Sequence, residues 1–588
     1  MRRGLRAVER AAGLLLAAAL GACSGRAGAG GEGPAASGSA AALASGPPAS
    51  SASAGAAAQA RFAALRDAFV DEWLRDEPAQ GRTLGLRASE GKVAGYGREA
   101  LARRVERLRR ARRELEALGP GGLGPEEAFD RALLLYQIDN ELFHLVDLDE
   151  PSKLPQFYVE LFAVDHYIKR DYAPLEDRAE RLVEHEEAAL AEVKHVRANL
   201  APVLSRPVAE TAAEVYGGYA DYLRKDVARA LERLGPGPLL ERFTKANGAL
   251  AAEAEAIAAH LREAAKRGDQ GHVLGGERFL ALLRVQEGFE GTLEAFREAG
   301  EKDLAQNLRA YEASPAAKLP PARPKPERLL AETTAMVEAA RAFVLAKGLV
   351  TLATDDTAGV RETPPFMRWN SAFLDASGPL DPVRDAFYYV TPPDPSWPLK
   401  ERLEYVPTYG DIASTTTHEV YPGHFVQGRW LERAPTRVQK MVSSYSFVEG
   451  WAHYAEQMMV EEGFAGGGAE EARRGQLADA LLRDCRYVVA HGVHAGGMTL
   501  EQAEERFRRD CRQDKATARQ QARRATFDPG YFAYTHGKLA LLALREEVKQ
   551  KLGPAFSLRR FHDELLAHGQ PPVGLLRARV LAALAPGR

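Results

Sequence analysis

The sequence predicts a mainly α-helical protein with one small β element. Beyond residue 59, apolar side chains recur at steps of three and four, which is the period of amphipathic helices. Residues 350–412 differ, because they are rich in proline and hold the β-prone run 387–390 (Phe-Tyr-Tyr-Val) between turn formers. The 588 residues are 45% hydrophobic and 27% charged, a composition that is typical of globular proteins and excludes a mainly disordered chain.

Charge and cysteine content narrow the class of protein further. The formal net charge is -3, whereas nucleic-acid-binding proteins normally show a basic surface, so no nucleic-acid partner is expected. The three cysteines are too few for a disulfide scaffold and form no C-x-x-C zinc pattern. The chain has no glycine-rich phosphate loop and no G-x-S-x-G element, so nucleotide-binding and α/β-hydrolase functions lack a supporting motif.

The N-terminus has the features of a secretory signal. Arginines precede the apolar stretch 11–20, which is too short to span a bilayer comfortably. The segment 20–23 (Leu-Gly-Ala-Cys) resembles the bacterial lipobox, in which the cysteine is acylated and becomes the new N-terminus. Residues 1–22 are therefore predicted to be a lipoprotein signal peptide and Cys23 the lipidated residue. A plain cleavable signal is the alternative.

This prediction also sets the expected location and the domain boundaries. A lipid anchor would be the only membrane contact, with the folded part facing the periplasm or the exterior of a bacterial cell envelope. Ser24 follows the cysteine, and a residue other than Asp at that position in bacterial lipoproteins favours the outer membrane. Residues 23–58 are predicted to hold the acylated cysteine and a flexible Ala/Gly/Ser/Pro tether, although a poly-alanine helix competes with this interpretation. Residues 59–588 are predicted to form a single helical domain.

The predicted helices have clear boundaries. The periodic run from Leu101 to Leu118 ends at Gly119, and Pro125 opens the next helix. Arginines between positions 103 and 113 are interpreted as the solvated face of the first of these helices, because glutamates are interleaved with them. Further long helical stretches are predicted near residues 175–200, 208–234, 240–266, 275–312 and 328–348.

The stretch 414–424 (Ser-Thr-Thr-Thr-His-Glu-Val-Tyr-Pro-Gly-His) carries the strongest chemical signal. Its Ser and Thr residues are predicted to cap a helix start. His418-Glu419 then begins like H-E-x-x-H, in which two histidines one turn apart bind zinc and the Glu activates the zinc-bound water. Pro422 stands where the second histidine would be, and His424 would point about 120° away from His418 on an ideal helix. The two rings can converge only if the helix breaks, and the break is expected at Pro422-Gly423.

A second stretch, 447–456, supplies the carboxylates. Glu449, His453 and Glu456 are spaced at i, i+4 and i+7, so they share one face of a helix. Two histidines and a carboxylate from a second helix make a catalytic zinc set with one open position, and Glu449 is the best third ligand. His453 and Glu456 would then not bind the metal themselves but would contact the metal ligands and orient them. The alternative is that these are ordinary polar residues on a helix.

The pairing of H-E-x-Y-P-G-H with a later E-G-W-A-x-Y-A-E resembles a bacterial lipoprotein family labelled domain of unknown function 885. That family is similar to thimet-oligopeptidase-like and carboxypeptidase-Taq-like gluzincin metallopeptidases. The resemblance covers the chain from about residue 60 to the end. It implies a large helical zincin-like metallopeptidase domain with a deep cleft and a small β element near the active site.

The resemblance also implies a ligand set and a reaction. In the similar peptidases a Phe-Val-Glu segment supplies the third zinc ligand, which matches Glu449 beside His418 and His424. The expected cofactor is one Zn2+ per chain, and the expected substrates are short peptides. Glu419 is expected to act as the general base on the zinc-bound water.

Two more segments match the family, at 486–494 and 531–539. By similarity to the gluzincins, Tyr534 or His494 is expected to donate a hydrogen bond to the oxyanion, and Arg486 to bind a substrate carboxylate. For each of these three residues, a buried helix position with a satisfied hydrogen bond is the alternative. His491 stands where the family often has Asp, and its role is left open.

The β-prone run and two cysteines complete the predictions. Tyr388 and Tyr389 are expected to lie on an edge strand that pairs with an extended substrate, with a purely structural strand as the alternative. Cys485 and Cys511 are interpreted as two buried free thiols, although an exported chain could oxidise them to a disulfide.

Two other functions remain open at this level. One is a zinc hydrolase of ester or cell-wall amide bonds, and the other is a non-catalytic substrate-binding lipoprotein on the same fold. The sequence does not determine cleavage preference, the choice between zinc and another divalent ion, or oligomeric state.

Overall fold

The computed structural model describes residues 49–315, 320–368 and 370–585. The expected signal peptide and Cys23 lie outside these residues. The first described helix, α1, spans Ala49–Asp76, so residues 49–58 of the expected tether are helical. Alanine has the highest helix propensity of all residues, and the alanine-rich end of the tether continues into the helix that follows.

Helices make up most of the described chain, as predicted. Those of its first half, after α1, are α2 Pro78–Thr83, α3 Arg98–Leu118, α4 Pro125–Leu142, α5 Glu150–Lys153, α6 His166–Lys169, α7 Leu175–Glu192, α8 Lys194–Asn199, α9 Arg206–Tyr222, α10 Ala228–Leu231, α11 Pro238–Lys266, α12 Gly276–Glu287, α13 Leu293–Ala313 and α14 Leu329–Lys347. The predicted end at Leu118 and the predicted start at Pro125 are both confirmed.

The second half holds the sheet and the remaining helices. The strands are β1 Gly359–Glu362, β2 Ala372–Ala376 and β3 Ala386–Val390. The helices are α15 Leu399–Tyr405, α16 Tyr409–Glu419, α17 His424–Leu431, α18 Arg437–Met441, α19 Tyr445–Glu461, α20 Ala469–His494, α21 Leu500–Arg509, α22 Lys515–Arg524, α23 Ala533–Leu552, α24 Leu558–Leu566 and α25 Val573–Ala583.

The small β element is confirmed, but its strand order corrects one prediction. The sheet has the order β1-β3-β2, with β3 parallel to β1 and antiparallel to β2. Tyr388 and Tyr389 lie on β3, which is hydrogen-bonded on both sides, so the expectation that they form an edge strand is wrong. β2 is an edge strand of this sheet, and a sequence pattern cannot show which strand lies at the edge because pairing is a tertiary property.

Three apolar clusters hold the helices together. One contains α7, α9 and α11, a second surrounds the sheet, α16 and α19, and a third packs α12, α13 and α20 through aromatic rings. The third cluster contains Cys485 and Cys511, which form a disulfide with their Cα atoms 6.2 Å apart. The prediction of free thiols is therefore wrong. Sequence spacing could not settle it, because the bridge forms only where packing brings α20 and the segment after α21 together.

None of the helices in the described ranges is both long and apolar enough to cross a membrane.

Candidate metal centre

Helix α16 delivers His418 and Glu419 at its C-terminal end. Thr408 caps the start of the helix: its hydroxyl accepts a hydrogen bond from the Asp411 N–H, while the Asp411 carboxylate accepts from the Thr408 N–H. This is a reciprocal capping box. The prediction that residues 414–417 cap the helix is therefore wrong, because these residues lie inside it.

The predicted break between the two histidines is confirmed. α16 ends at Glu419 and α17 begins at His424, with a cis peptide bond between Tyr421 and Pro422. A Cβ atom on Gly423 would lie 1.7 Å from the His418 carbonyl oxygen, so only glycine allows the chain to turn this closely. The turn brings the two imidazole rings to a centroid distance of 4.7 Å.

Helix α19 contributes the third member of the cluster. Glu449 Oε2 lies 3.4 Å from His418 Nε2 and 3.5 Å from His424 Nε2. One donor atom from each of the three residues lies within 4.8 Å of the other two. The outer ring nitrogens are engaged elsewhere, since His418 Nδ1 contacts Glu456 and His424 Nδ1 contacts Gln427. Both Nε2 atoms thus face one carboxylate oxygen, an arrangement and donor set that fit a divalent zinc ion.

Two glycines bring α19 against α23 at this position. A Cβ on Gly450 would lie 2.5 Å from the Gly537 Cα, and a Cβ on Gly537 would lie 1.8 Å from the Ser446 carbonyl oxygen. The two backbones therefore touch without side chains between them. This close approach explains why the motif stretches around Glu449 and Tyr534 both contain glycine.

A buried charged network surrounds His418. Glu456 Oε1 lies 2.6 Å from His418 Nδ1, and the Arg483 guanidinium contacts Glu456 Oε2 at 3.1 Å and Oε1 at 3.0 Å. His453 Nδ1 lies 3.4 Å from Glu456 Oε2 and so meets His418 only through that carboxylate. Glu456 and His453 belong to the sequence motif, whereas Arg483 lies outside it. No motif marks this arginine, since its contact depends on the packing of α20 against α16 and α19.

The network controls the protonation of the cluster. Burial and the Arg483 guanidinium oppose a proton on His418, but hydrogen bonds to Glu449 and Glu456 outweigh them and raise its pKa to about 10. Burial would raise the pKa of Glu449, yet its hydrogen bonds with His418 and His424 hold that pKa well below the usual value. Burial lowers the pKa of His453 to about 3. The two carboxylates next to His418 are thus kept ionised in the protein interior.

Glu419 is the last residue of α16, and its side chain extends toward the sheet. Its Oε2 accepts a hydrogen bond of 2.9 Å from the Leu374 N–H on β2. Tyr388 is 1% exposed, and burial, with the Glu419 charge as a further contribution, raises its pKa. Tyr389 packs against Phe373 at a ring distance of 5.3 Å. The two tyrosines therefore belong to the core of the sheet, and β2 is the strand that touches Glu419.

Tyr534 and Arg486 lie on the same side of the molecule as the cluster. The Tyr534 ring centroid is 5.7 Å from the Arg483 Cζ and 4.8 Å from the Arg486 Cζ. Its ring also packs edge-on against Tyr445, at 5.5 Å. Because Arg483 contacts His418, Tyr534 and Arg486 are neighbours of the cluster through that arginine.

His494 occupies a different environment. It is 1% exposed, its Nε2 lies 2.8 Å from the Ala525 carbonyl oxygen, and its ring stacks on Phe279 at 5.8 Å. Burial lowers its pKa to about 4. These contacts place it in the aromatic cluster and none is with the metal-ligand candidates, so the expectation that His494 serves the oxyanion is not supported. The half-buried His491 also packs in this cluster, 6.3 Å from Phe279.

A cavity of about 980 Å³ is lined by contacts and sequence neighbours of the cluster, while His418, Glu419, His424 and Glu449 are not among its lining residues. Its wall includes Leu374, which binds Glu419, and Tyr445 and Val448, which precede Glu449 on α19. Helices α6 and α9 also contribute to its wall, with Lys169 and Tyr219 respectively. The lining also includes aromatic residues, among them Trp73, Phe157, Phe373 and Trp397, and charged residues, among them Arg82, Glu160 and Lys440.

The fold is similar to two solved structures. The first is a presumed lipoprotein of unknown function from Shewanella oneidensis, 22% identical, with a TM-score of 0.72 over 88% of this chain and 99% of that chain. The second is a presumed lipoprotein from Colwellia psychrerythraea, 17% identical, with a TM-score of 0.65 over 90% of this chain and 99% of that chain. At these identities the likeness extends to the fold alone.

Among curated proteins, none matches the chain. The family model described as "Bacterial protein of unknown function (DUF885)" matches residues 78–580, which is most of the sequence and includes every member of the cluster. The chain therefore belongs to the DUF885 family of bacterial proteins.

Proposed function

We propose that this protein is a zinc-dependent hydrolase of short peptides. The single observation that carries the proposal is the convergence of His418, His424 and Glu449 from three helices, with Glu419 next to the first ligand. Two imidazoles and one carboxylate are a donor set of catalytic zinc sites, which keep a further position for water or substrate. A structural zinc site would instead be closed by a fourth protein ligand.

The candidate zinc ligands make contacts with neighbouring residues that suit a catalytic metal site. Zinc, when bound, supplies a Lewis acid that polarises the scissile carbonyl and lowers the pKa of water. Glu456 accepts a hydrogen bond from His418 Nδ1 and so holds Nε2 toward Glu449, where zinc binding would displace the Nε2 proton. Arg483 compensates the Glu456 charge and holds that carboxylate in place.

Glu419 is the proposed general base. The Leu374 N–H holds one of its carboxylate oxygens and leaves the other available to take a proton from the attacking water. Tyr534 is the proposed donor to the oxyanion, since its partly buried ring lies beside Arg483 on the same side as the cluster.

The edge strand β2 replaces Tyr388 and Tyr389 as the proposed backbone partner of an extended substrate. In the antiparallel ladder, the backbone N–H and C=O groups of Phe373 and Asp375 point toward β3. The backbone groups of Leu374 therefore point to the free edge of the sheet, where the Glu419 carboxylate accepts a hydrogen bond from the Leu374 N–H. The cavity beside β2 would then be the expected cleft. Its volume of about 980 Å³ admits a short peptide and excludes a folded protein.

We further propose that the protein is lipid-anchored in the bacterial cell envelope. The lipobox-like segment ending at Cys23 and the two presumed lipoproteins of similar fold both support this location. Ser24 favours the outer membrane over the inner one.

The decisive experiment measures metal content and hydrolysis on the same samples. Protein starting at residue 24 should bind about one zinc per chain, and His424→Ala and Glu449→Ala should each abolish that binding. Glu419→Gln should retain zinc and lose about 10²–10⁴-fold in peptide hydrolysis. His568→Ala is the matched control, because this histidine contacts Glu564 and Arg579 outside the cluster and should change neither quantity.

Four outcomes would contradict the proposal. Folded protein that binds no zinc would exclude a metallohydrolase. Full hydrolysis by Glu419→Gln would refute the assigned base. Cleavage of ester or cell-wall amide substrates, with none of a peptide library, would replace the substrate class, and zinc binding without any hydrolysis would indicate a binding lipoprotein.

A further inference from the structure

We propose that Glu287 binds a primary ammonium group of the substrate, carried by the N-terminus of a peptide or by a lysine side chain. This inference deepens the proposed function and rests on it. It names a chemical feature that a substrate presents to the cavity, and it sets how far that feature lies from the bond that is cleaved.

Glu287 is an acid of the cavity wall that has no cationic partner. Its side chain is 4% exposed, and no lysine or arginine in the described ranges forms an ion pair with it. His536 Nε2 lies 4.0 Å away, but burial lowers the pKa of His536 to about 4, so this ring is neutral at pH 7. Lys440 lines the same cavity and does not pair with Glu287. A carboxylate buried in this way would be stabilised by a cation from outside the chain.

A second helix holds the Glu287 side chain in place. The Ser446 hydroxyl on α19 donates a hydrogen bond to Glu287 Oε2. Burial raises the pKa of Glu287 to about 8, although this hydrogen bond favours the ionised form. The free protein therefore keeps much of this carboxyl group protonated at pH 7. A bound ammonium group would provide the positive charge that the ionised form lacks.

The backbone around Glu287 favours the same kind of ligand. Glu287 is the last residue of α12, and Gly288 ends the helix with a φ of 63°. The C-terminal end of a helix carries a partial negative charge, which disfavours a carboxylate and favours a cation. Gln286 also lines the cavity, so this helix end and the Glu287 carboxyl group border the same space. The two features together make a site for a cation in the cavity wall.

Acidic residues elsewhere in the wall show the contrast. Lys169 Nζ is 3.1 Å from Asp375, and Arg524 Nε is 2.8 Å from Asp528. The charges of these two carboxylates are compensated within the protein, so they do not require a ligand. Glu287 differs because the fold keeps an acid in the wall without a lysine or arginine to compensate it.

The position of Glu287 sets its distance from the candidate zinc ligands. Its partner Ser446 precedes Glu449 by three residues on α19, so the two side chains are neighbours on that helix, about 4.5 Å apart along its axis. With the side chains included, the carboxyl groups of Glu287 and Glu449 are separated by on the order of 10 Å. An extended peptide spans this distance with about three residues. An ammonium group at Glu287 would therefore lie up to about three residues from the cleaved bond.

Binding to an inactive protein tests the recognition separately from catalysis. The Glu419→Gln protein, loaded with zinc, is titrated with one peptide in three forms: with a free N-terminus and no lysine, with an acetylated N-terminus, and acetylated with lysine as the first residue. The first form should bind about 10-fold or more tightly than the second. Adding Glu287→Gln should remove this preference, because glutamine keeps the shape and an acceptor for Ser446 but not the charge. Adding Glu287→Asp should retain part of it.

Two controls separate recognition from folding. Glu290→Gln removes an exposed acid three residues further along the chain, outside the cavity wall, and should leave the preference intact. Zinc content and circular dichroism establish that each Glu287 variant is folded and keeps its metal centre. With Glu419 restored, Glu287→Gln should raise KM about 10-fold for the peptide with a free N-terminus and leave KM for the acetylated peptide unchanged.

The outcomes distinguish this inference from the proposed function. Equal binding of the three peptides, or a preference that survives Glu287→Gln, in a protein that binds zinc and hydrolyses peptides would overturn the inference alone. Tight binding of the free N-terminus alone would identify the chain end as the source of the ammonium group, and equally tight binding of the lysine peptide would extend the site to side chains. Absence of both zinc and hydrolysis would refute the proposed function, and this inference with it.

Discussion

Two buried histidines in this protein, His418 and His494, have opposite environments. His418 contacts two carboxylates, Glu449 and Glu456, which raise its pKa to about 10. His494 has a phenyl ring and a backbone carbonyl as partners, and burial lowers its pKa to about 4. Both residues belong to motif-like segments of the sequence. The comparison shows that the acids packed around a buried histidine, and not its burial alone, decide whether its pKa is raised or lowered.

The largest difference between the two histidines should appear in metal binding. His418→Ala removes a ligand candidate and should abolish zinc binding, as measured by elemental analysis of the purified protein. His494→Gln keeps a donor for the Ala525 carbonyl and should retain about one zinc per chain. Loss of zinc in the His494 variant, with the fold intact, would break the comparison.

The next effect concerns the carboxylate behind His418. Glu456→Gln keeps the shape of the side chain but removes the charge that orients the imidazole and balances Arg483. Zinc affinity should fall about 10–100-fold, measured by competition with a chelator. Gln457→Glu alters the adjacent residue, which bonds to Glu461 on the exposed side of α19, and should leave the affinity unchanged. An unaltered affinity in Glu456→Gln would mean that the carboxylate does not support the ligand.

The third effect concerns the pH dependence of stability and tests His494 alone. Its pKa in the folded protein is about 4, below the value of 6.5 for an unperturbed histidine, so the unfolded chain binds the proton first as the pH falls. The contribution of neutral His494 to the free energy of unfolding therefore has its full value above about pH 6.5. It decreases as the pH falls from about 6.5 to about 4. The maximum contribution is about 3 kcal/mol, since each pKa unit is worth about 1.4 kcal/mol.

His494→Gln should show a smaller decrease in the free energy of unfolding across this range than the unmodified chain. Denaturant titrations of metal-free protein at pH 7 and pH 4.5 measure it. Identical decreases in the two proteins would show that His494 takes up no extra proton on unfolding.

The sequence by itself determined the helical class and the local elements of the centre. Apolar periodicity located the helices, Pro125 marked a helix start, and Pro422-Gly423 marked the break between the two histidines. The i, i+4, i+7 spacing placed Glu449 and Glu456 on one face of α19. Each of these features depends on neighbours within a few residues, and local backbone geometry fixes them.

Only the tertiary structure decided which residues meet across the fold. It made β3, which carries Tyr389, a central strand and left β2 at an edge of the sheet. It also joined Cys485 to Cys511. It also placed Arg483 on Glu456 and buried His494 among aromatic rings. Strand order, disulfide pairing and long-range charge contacts depend on how distant elements pack, and no local pattern of residue types encodes that packing.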